Sequence, residues 1–138
     1  FLTEIKAHHL AVMVDSCYVG GKFKGSNILD LDNDQKAFIT DHLKDDLNLR
    51  ARIVLSSGSD GRVSDTAPNS KNSIFASTFL NNLRIAEKVS IPLTMTTVGF
   101  NVKRSFTGNS NQKPYYYHPD TWTHLGGDFI FIPKQNLQ

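Results

Sequence analysis

Two short apolar runs each end abruptly in small polar residues. The first, Leu10–Val14, is followed by Asp15, Ser16 and Cys17, and the second, Arg52–Ser57, ends in two serines. Neither run alternates between apolar and polar positions, which is typical of strands buried on both faces of a parallel sheet. We therefore predict two neighbouring parallel strands whose carboxyl ends lie side by side.

Apolar residues at helical spacing predict three helices. The first lies within residues 32–47, behind acidic residues, and the second covers about residues 70–86, with Ser70 or Asn72 as its cap. The third lies within residues 90–106 and contains a proline in its first turn. The apolar faces of the first two helices are Phe38, Ile39, Leu43 and Leu47, and Phe75, Phe79, Leu80 and Leu83.

The last third of the chain predicts a loop and a strand. Residues 108–127 are polar, and we expect their aromatic residues to pack on the domain and His118 and His124 to lie at the surface or at a substrate rim. Asp128–Pro133 predicts a late strand at a sheet edge, ended by proline. Leu10–Val14 is apolar enough for the middle of a sheet, yet one neighbouring strand is evident. Its other side is expected to pair with another polypeptide or with another part of the same domain.

Composition limits the kinds of partner. The 138 residues, 39% of them hydrophobic, predict one globular domain, residues 1–138. Fifteen basic and 13 acidic residues are mixed along the chain and give a net charge of +2, which offers no basic surface for nucleic acid or membrane. One cysteine allows no internal disulfide, and neither a membrane-spanning stretch nor a leader is evident. We expect a cytoplasmic protein with no nucleic-acid or membrane partner.

The acidic run DLDNDQ, residues 30–35, is a candidate calcium loop. Its sixth position is Gln35, where such a loop requires glycine, so helix capping explains the run better. We expect no metal and no cofactor.

Cys17 has two interpretations from the residues around it. A lone cysteine is most often a small buried hydrophobic residue. The carboxyl end of a strand in an open parallel sheet is, however, where ligands bind, and a cysteine there could act as a nucleophile. The local pattern leaves both interpretations open.

Three segments, taken in order, resemble the caspase-like peptidase domain, most of all its metacaspase and bacterial branches. They are LAVMVDSCYVGG (10–21), RIVLSSGSDGRVSDTAPNSKNSIFASTFLNNL (52–83) and KPYYYHPDTWTHLGGDFIFIPK (113–134). Val19 departs from the family pattern, which has a smaller residue there. The resemblance implies an α/β fold, a three-layer α/β/α sandwich with a mostly parallel sheet and an antiparallel edge strand. This chain would supply the C-terminal half of that sandwich.

The resemblance implies a cysteine endopeptidase with a Cys–His dyad. Cys17 would be the nucleophile, and its backbone N–H would donate to the oxyanion. The family histidine lies about 50 residues before the cysteine, whereas residues 1–16 precede Cys17 here. We expect this chain alone to be inactive and a His-bearing N-terminal segment or subunit of the same domain to complete it. The alternative is an inactive caspase-like regulatory or scaffolding module.

None of the five histidines is a good replacement for that base. His8 and His9 begin the strand that leads to Cys17, which puts them roughly 20 Å from the thiol at about 3.3 Å per residue. His42 lies on a helix that is remote from the dyad in the family fold. His118 and His124 lie in the predicted late loop.

The resemblance also predicts the specificity. Where caspases that cut after aspartate have a glutamine and an arginine, this chain has Asp15 and Asp65, as in metacaspases. Paired carboxylates favour a guanidinium or an ammonium group. We expect a peptide or protein substrate cleaved after Arg or Lys, bound by Asp15 and the Ser64–Asp65 pair with Asp60 at the rim.

The glycine-rich segment after the cysteine is a candidate processing site. The sequence GGKFKGSN, residues 20–27, carries Lys22 and Lys24, and such segments are preferred sites of proteolytic nicking. An enzyme that accepts basic residues is therefore expected to cleave itself there.

Overall fold

The computed structural model describes residues 2–16, 25–27, 43–58, 71–106 and 112–134. This part of the chain has a mixed α/β fold. A short 3-10 turn at Leu2–Glu4 precedes the first strand. The other elements, in chain order, are β1 (His9–Val14), β2 (Gly25–Asn27), α1 (Leu43–Asn48), β3 (Ala51–Ser56), α2 (Ile74–Val89), β4 (Leu93–Thr94), α3 (Met95–Ser105), β5 (Tyr115–Pro119) and β6 (Ile130–Phe131).

The main sheet has the strand order β1-β3-β5-β2. β1 and β3 are parallel, with His9 opposite Ala51 and Val14 opposite Ser56. The predicted parallel pair is therefore confirmed. β5 runs antiparallel to both β3 and β2, so the described sheet is mixed rather than mostly parallel.

β5 was not predicted, and the expectation of a loop at these residues is wrong. Flanking prolines and polar residues suggested a loop, but successive tyrosines suit a buried strand because their rings pack on opposite faces. Tyr116 packs against the core on the helical side of the sheet, and Tyr117 packs with Val54 and Trp122 on the other side.

The main core lies between the sheet and two helices. Alternate residues of β3 face this core, and α2 and α3 cover them. Its buried members are Ala51, Ile53, Leu55, Phe75, Met95, Val98, Val102, Phe106 and Tyr116. The predicted apolar face of the second helix is confirmed at Phe75, which is buried, and at Phe79, which packs on the core.

The second and third predicted helices begin later in the chain than predicted. Ser73, rather than Ser70 or Asn72, caps α2, and its side chain accepts a hydrogen bond from the Ala76 N–H. α3 begins at Met95, so the proline before it lies outside the helix. The structure describes residues 43–47 of the predicted first helix, and these lie in α1.

β6 confirms a late strand, although it is shorter than Asp128–Pro133 and lies in a different sheet. It pairs antiparallel with β4 in a separate two-stranded sheet. Pro133 follows two residues after β6, where its missing N–H disturbs no strand pairing.

β1 and β3 have similar apolar sequences but different surroundings. All six residues of β3 are buried, whereas no residue of β1 is, and Met13 is 42% exposed. The difference follows from strand order, because β1 is at the edge of the sheet as described. The predicted open edge is thus present in this part of the chain.

Arg52 anchors the segment before β1. Its guanidinium is buried and donates to the backbone carbonyls of Ile5, Ala7 and His8. Burial lowers the pKa of Arg52. None of the described helices has the length and apolar character to cross a membrane.

Candidate functional site

The carboxyl ends of β1 and β3 meet at one edge of the main sheet. The N–H of Ser57 donates to the carbonyl of Val14 at 2.9 Å, and the N–H of Ser16 donates to Ser57 Oγ at 3.1 Å. Ser57 therefore binds the backbone of Val14, the last residue of β1, and the backbone of Ser16, two residues later. The residue that immediately follows Ser16 is Cys17.

The β3 side of this edge is buried and fully engaged in hydrogen bonds. Ser56 and Ser57 are both 0% exposed. The Ser56 hydroxyl donates to the Gly58 carbonyl at 3.1 Å, and the buried Gln112 side chain donates through Nε2 to the Ser57 carbonyl at 2.7 Å. Sequence reasoning missed Gln112 because it lies in a polar stretch that predicted a loop.

Asp15 lies on the exposed side of the same edge. Its Oδ2 accepts a hydrogen bond of 2.5 Å from the hydroxyl of Ser73, the cap of α2. Within the described part of the chain, no Lys, Arg or His forms an ion pair with this carboxylate. Asp15 is thus an exposed anion held by a neutral partner, and it can accept a cation from outside.

The other site residues predicted from the sequence lie outside the described residues. They are Cys17, Lys22, Lys24, Asp60, Ser64 and Asp65, and His42 lies outside them as well. Their roles stay predictions.

His118 and His124 lie far along the sheet from Asp15. In the antiparallel register, Tyr115 is opposite Ser56 and Tyr117 is opposite Val54, so His118 lies towards the amino end of β3. His124 Nδ1 accepts a 3.1 Å hydrogen bond from the Arg52 N–H at that end. Both histidines therefore lie at the end of β3 opposite to Asp15, and their expected place at the surface or at a substrate rim stays a prediction.

These two histidines form a stacked pair. Their ring centroids are 3.5 Å apart with an interplanar angle of 25°. Burial and the neighbouring His124 lower the pKa of His118 to about 4, and burial also lowers the pKa of His124. Because His124 Nδ1 is an acceptor, the neutral ring carries its proton on Nε2. The pair is a neutral packing contact.

His8 and His9 also lie at the amino end of the sheet. Their Nε2 atoms contact the carbonyls of Asn48 and Leu49 at 3.2 and 3.0 Å. β1 therefore separates both rings from Asp15 and Ser16 at its other end.

Asp128 has a buried carboxylate that binds the start of α3, a role that the sequence did not predict. It accepts hydrogen bonds from the N–H groups of Thr96 and Phe129 at 3.1 and 2.7 Å. Burial raises its pKa. Because the Thr96 N–H belongs to the first turn of α3, this carboxylate stabilises the start of the helix.

The edge formed by Asp15, Ser16 and Ser57 therefore combines an anchored backbone with an exposed carboxylate. This arrangement can bind a cationic group. Among the residues that the structure describes, no group of three or more His, Cys, Asp and Glu side chains could hold a metal ion. No protein-family model, curated protein or solved structure matches this chain.

Proposed function

We propose that this chain is the C-terminal half of a caspase-like cysteine endopeptidase domain, with Cys17 as nucleophile and cleavage after Arg or Lys. The observation that carries the proposal is the hydrogen bond from the Ser16 N–H to Ser57 Oγ. It holds the residue before Cys17 against a strand end that is completely buried. We propose that an anchor one residue before the nucleophile limits how far it can drift from its substrate.

The chemistry is acyl transfer to a thiolate. Cys17 Sγ attacks the peptide carbonyl carbon, and the backbone N–H of Cys17 donates to the oxyanion that forms. The C–N bond then breaks as a histidine gives its proton to the leaving amine, and water hydrolyses the thioester. A free thiol is only a few per cent ionised near neutral pH, so the base must be within reach of Sγ.

The base is proposed to come from a His-bearing N-terminal segment of the same domain. The four described histidines lie at the amino end of the sheet, away from Asp15. In the part of the chain described, the outer edge of β1 pairs with no strand. A parallel strand added there would bring its own carboxyl end beside Asp15 and Ser16.

The exposed carboxylate of Asp15, which has no ion pair with a described Lys, Arg or His, supports the specificity. A guanidinium or ammonium group entering beside it gains a charge-assisted hydrogen bond, whereas an aspartate side chain meets like charge. Asp65 is proposed as the second carboxylate, with the preceding Ser64 as a further substrate-binding residue and Asp60 at the rim. A cytoplasmic location is part of the proposal, because a reducing compartment keeps a single thiol available.

A peptide panel tests this function. Fluorogenic peptides that differ only in the residue before the scissile bond, with Arg, Lys, Gln or Asp there, are given to the complete domain. We expect cleavage after Arg and Lys, its loss in Cys17→Ala, and weaker Arg cleavage in Asp15→Asn and Asp65→Asn. Asp120→Asn is the matched control, because Asp120 is exposed beyond the far end of β5.

Two results would contradict the proposal. Preferred cleavage after aspartate, or undiminished Arg cleavage in both aspartate variants, would overturn the specificity. No cleavage by a folded complete domain would favour the inactive regulatory or scaffolding module instead.

A further inference from the structure

The hydroxyl of Ser73 connects Asp15 to the start of α2. Ser73 Oγ lies 2.9 Å from the Ala76 nitrogen and 2.5 Å from Asp15 Oδ2. The Ala76 amide can only donate, so Oγ accepts from it and uses its own proton for the carboxylate. The Ser73 hydroxyl therefore caps α2 as an acceptor and binds Asp15 as a donor.

Ser73 is a fixed partner because α2 is anchored. The helix has 16 residues, and Phe75, two positions after the cap, is 3% exposed in the main core. Asp15, in contrast, is exposed and follows the last residue of an edge strand. The hydrogen bond from Ser73 therefore restricts rotation of the Asp15 side chain.

Fixing this carboxylate matters for what it can bind. An ionised carboxylate has about four lone-pair positions, and Ser73 occupies one of them. A guanidinium that binds in a bidentate manner must align with the plane of the carboxylate, whereas an ammonium binds as a point charge. Preorganisation also removes the cost of ordering the side chain on binding.

We propose that Ser73 is a positioning residue that orients Asp15 for an arginine side chain of the substrate, and this rests on the proposed function above. Ser73 does not touch the substrate; it acts through Asp15. Its hydroxyl favours Arg over Lys before the scissile bond, because a planar bidentate pair gains more from a fixed carboxylate plane than a point charge does.

Three variants of the complete domain separate this role from helix capping. Ser73→Gly removes the hydroxyl but leaves an acceptable N-cap residue, and Ser73→Thr keeps both hydrogen bonds. Thr94→Ala is the matched control, since Thr94 caps α3 in the same way through the Thr97 N–H, whereas the hydroxyl that donates to Asp15 is that of Ser73.

The measurement is kcat and KM for paired peptides that differ only in Arg or Lys before the scissile bond. In Ser73→Gly we expect the Arg-to-Lys ratio of kcat/KM to fall about fivefold, which corresponds to the net contribution of one typical hydrogen bond. Most of the change should lie in KM for the Arg peptide. Ser73→Thr should restore the ratio, and Thr94→Ala should leave it unchanged.

A double variant tests whether Ser73 acts through Asp15. Adding Ser73→Gly to Asp15→Asn should cause no further change in the Arg-to-Lys ratio. An unchanged ratio in Ser73→Gly, with Arg cleavage intact, would overturn the role of Ser73 alone. Absence of Arg cleavage in the wild-type domain would overturn the proposed function and this role with it.

Discussion

Ser16 and Ser57 join the ends of two parallel strands through a hydrogen bond of 3.1 Å from the Ser16 N–H to Ser57 Oγ. Ser57 also donates its own N–H to the Val14 carbonyl at 2.9 Å. Ser57 is fully buried and Ser16 is exposed, so the inner strand determines the position of the outer one. The proposed nucleophile follows directly after this contact.

Ser57→Ala should therefore affect both stability and catalysis. The variant leaves the Ser16 N–H without its acceptor, which we expect to lower the free energy of unfolding by about 1 kcal/mol. It should also lower kcat, because the Ser16 N–H, one residue before Cys17, loses its hydrogen bond while the backbone bond to the Val14 carbonyl remains. Denaturant unfolding and peptide cleavage by the complete domain measure the two effects.

Ser56→Ala is the matched control for this variant. Its hydroxyl is equally buried but donates to Gly58 rather than to β1. A similar loss of stability with kcat preserved is expected there. Equal kcat in both variants would contradict a role for Ser57 in positioning the site.

The sequence predicted the parallel strand pair because an unbroken apolar run has few other interpretations. It did not predict β5, since tyrosines between two prolines satisfy a loop as well as a strand until their burial is known. Nor could it select Ser73 from the nearby polar residues, as Ser and Asn cap helices about equally well. The contact of Ser73 with Asp15 spans 58 positions and exists only after β1 and α2 have packed.

Gly99 illustrates the same point about tertiary contacts. In the sequence it weakens the helix that contains it, yet a Cβ at this position would lie 2.5 Å from the Tyr116 ring. Gly99→Ala gains about 1 kcal/mol of helix propensity, but overpacking typically costs about 1–3 kcal/mol. We expect net destabilisation of the domain, measured by denaturant unfolding.

Removing the large ring tests that explanation. In a Tyr116→Val background, the Cβ of Gly99→Ala has space, and the alanine should then be neutral or stabilising. If Gly99→Ala destabilises both backgrounds equally, the contact with Tyr116 is not the reason for this glycine.

The stacked histidines predict an acid-sensitive fold. The pKa of His118 falls from 6.5 to about 4 on folding, because of burial and the neighbouring His124. Between pH 4 and pH 6.5 the unfolded chain binds more protons than the folded chain does. The contribution of His118 to the free energy of unfolding is therefore complete above pH 6.5 and is lost as the pH falls towards 4. Protonating His124 would also place a proton on Nδ1, which accepts from the Arg52 N–H.

Thermal unfolding between pH 4 and 8 measures this dependence. His118→Phe keeps an aromatic ring for stacking but cannot titrate, so its melting temperature should fall less below pH 6.5 than that of the wild type. His8→Gln, which replaces an exposed histidine at the start of β1, is the matched control. Identical pH profiles for His118→Phe and the wild type would contradict the assignment.

Self-processing should occur after Lys22 or Lys24 if the domain cleaves after basic residues. Changing both lysines to Gln should slow conversion of the complete protein to two fragments, because an uncharged side chain lacks the attraction to Asp15 and Asp65. Gel electrophoresis with mass mapping of the new termini measures the rate and the position. Unchanged processing with the cut elsewhere would reject this segment.

Labelling of Cys17 tests the central claim most directly. The complete domain is treated with a thiol-directed peptide electrophile that carries Arg, beside a matched one that carries Asp, and the modified residue is mapped by mass spectrometry. We predict that the Arg reagent modifies Cys17, the one cysteine of this sequence, faster than the Asp reagent does, and that Cys17→Ala is not labelled at this site. A folded domain whose Cys17 stays unlabelled, or reacts as fast with the Asp reagent, would contradict the account.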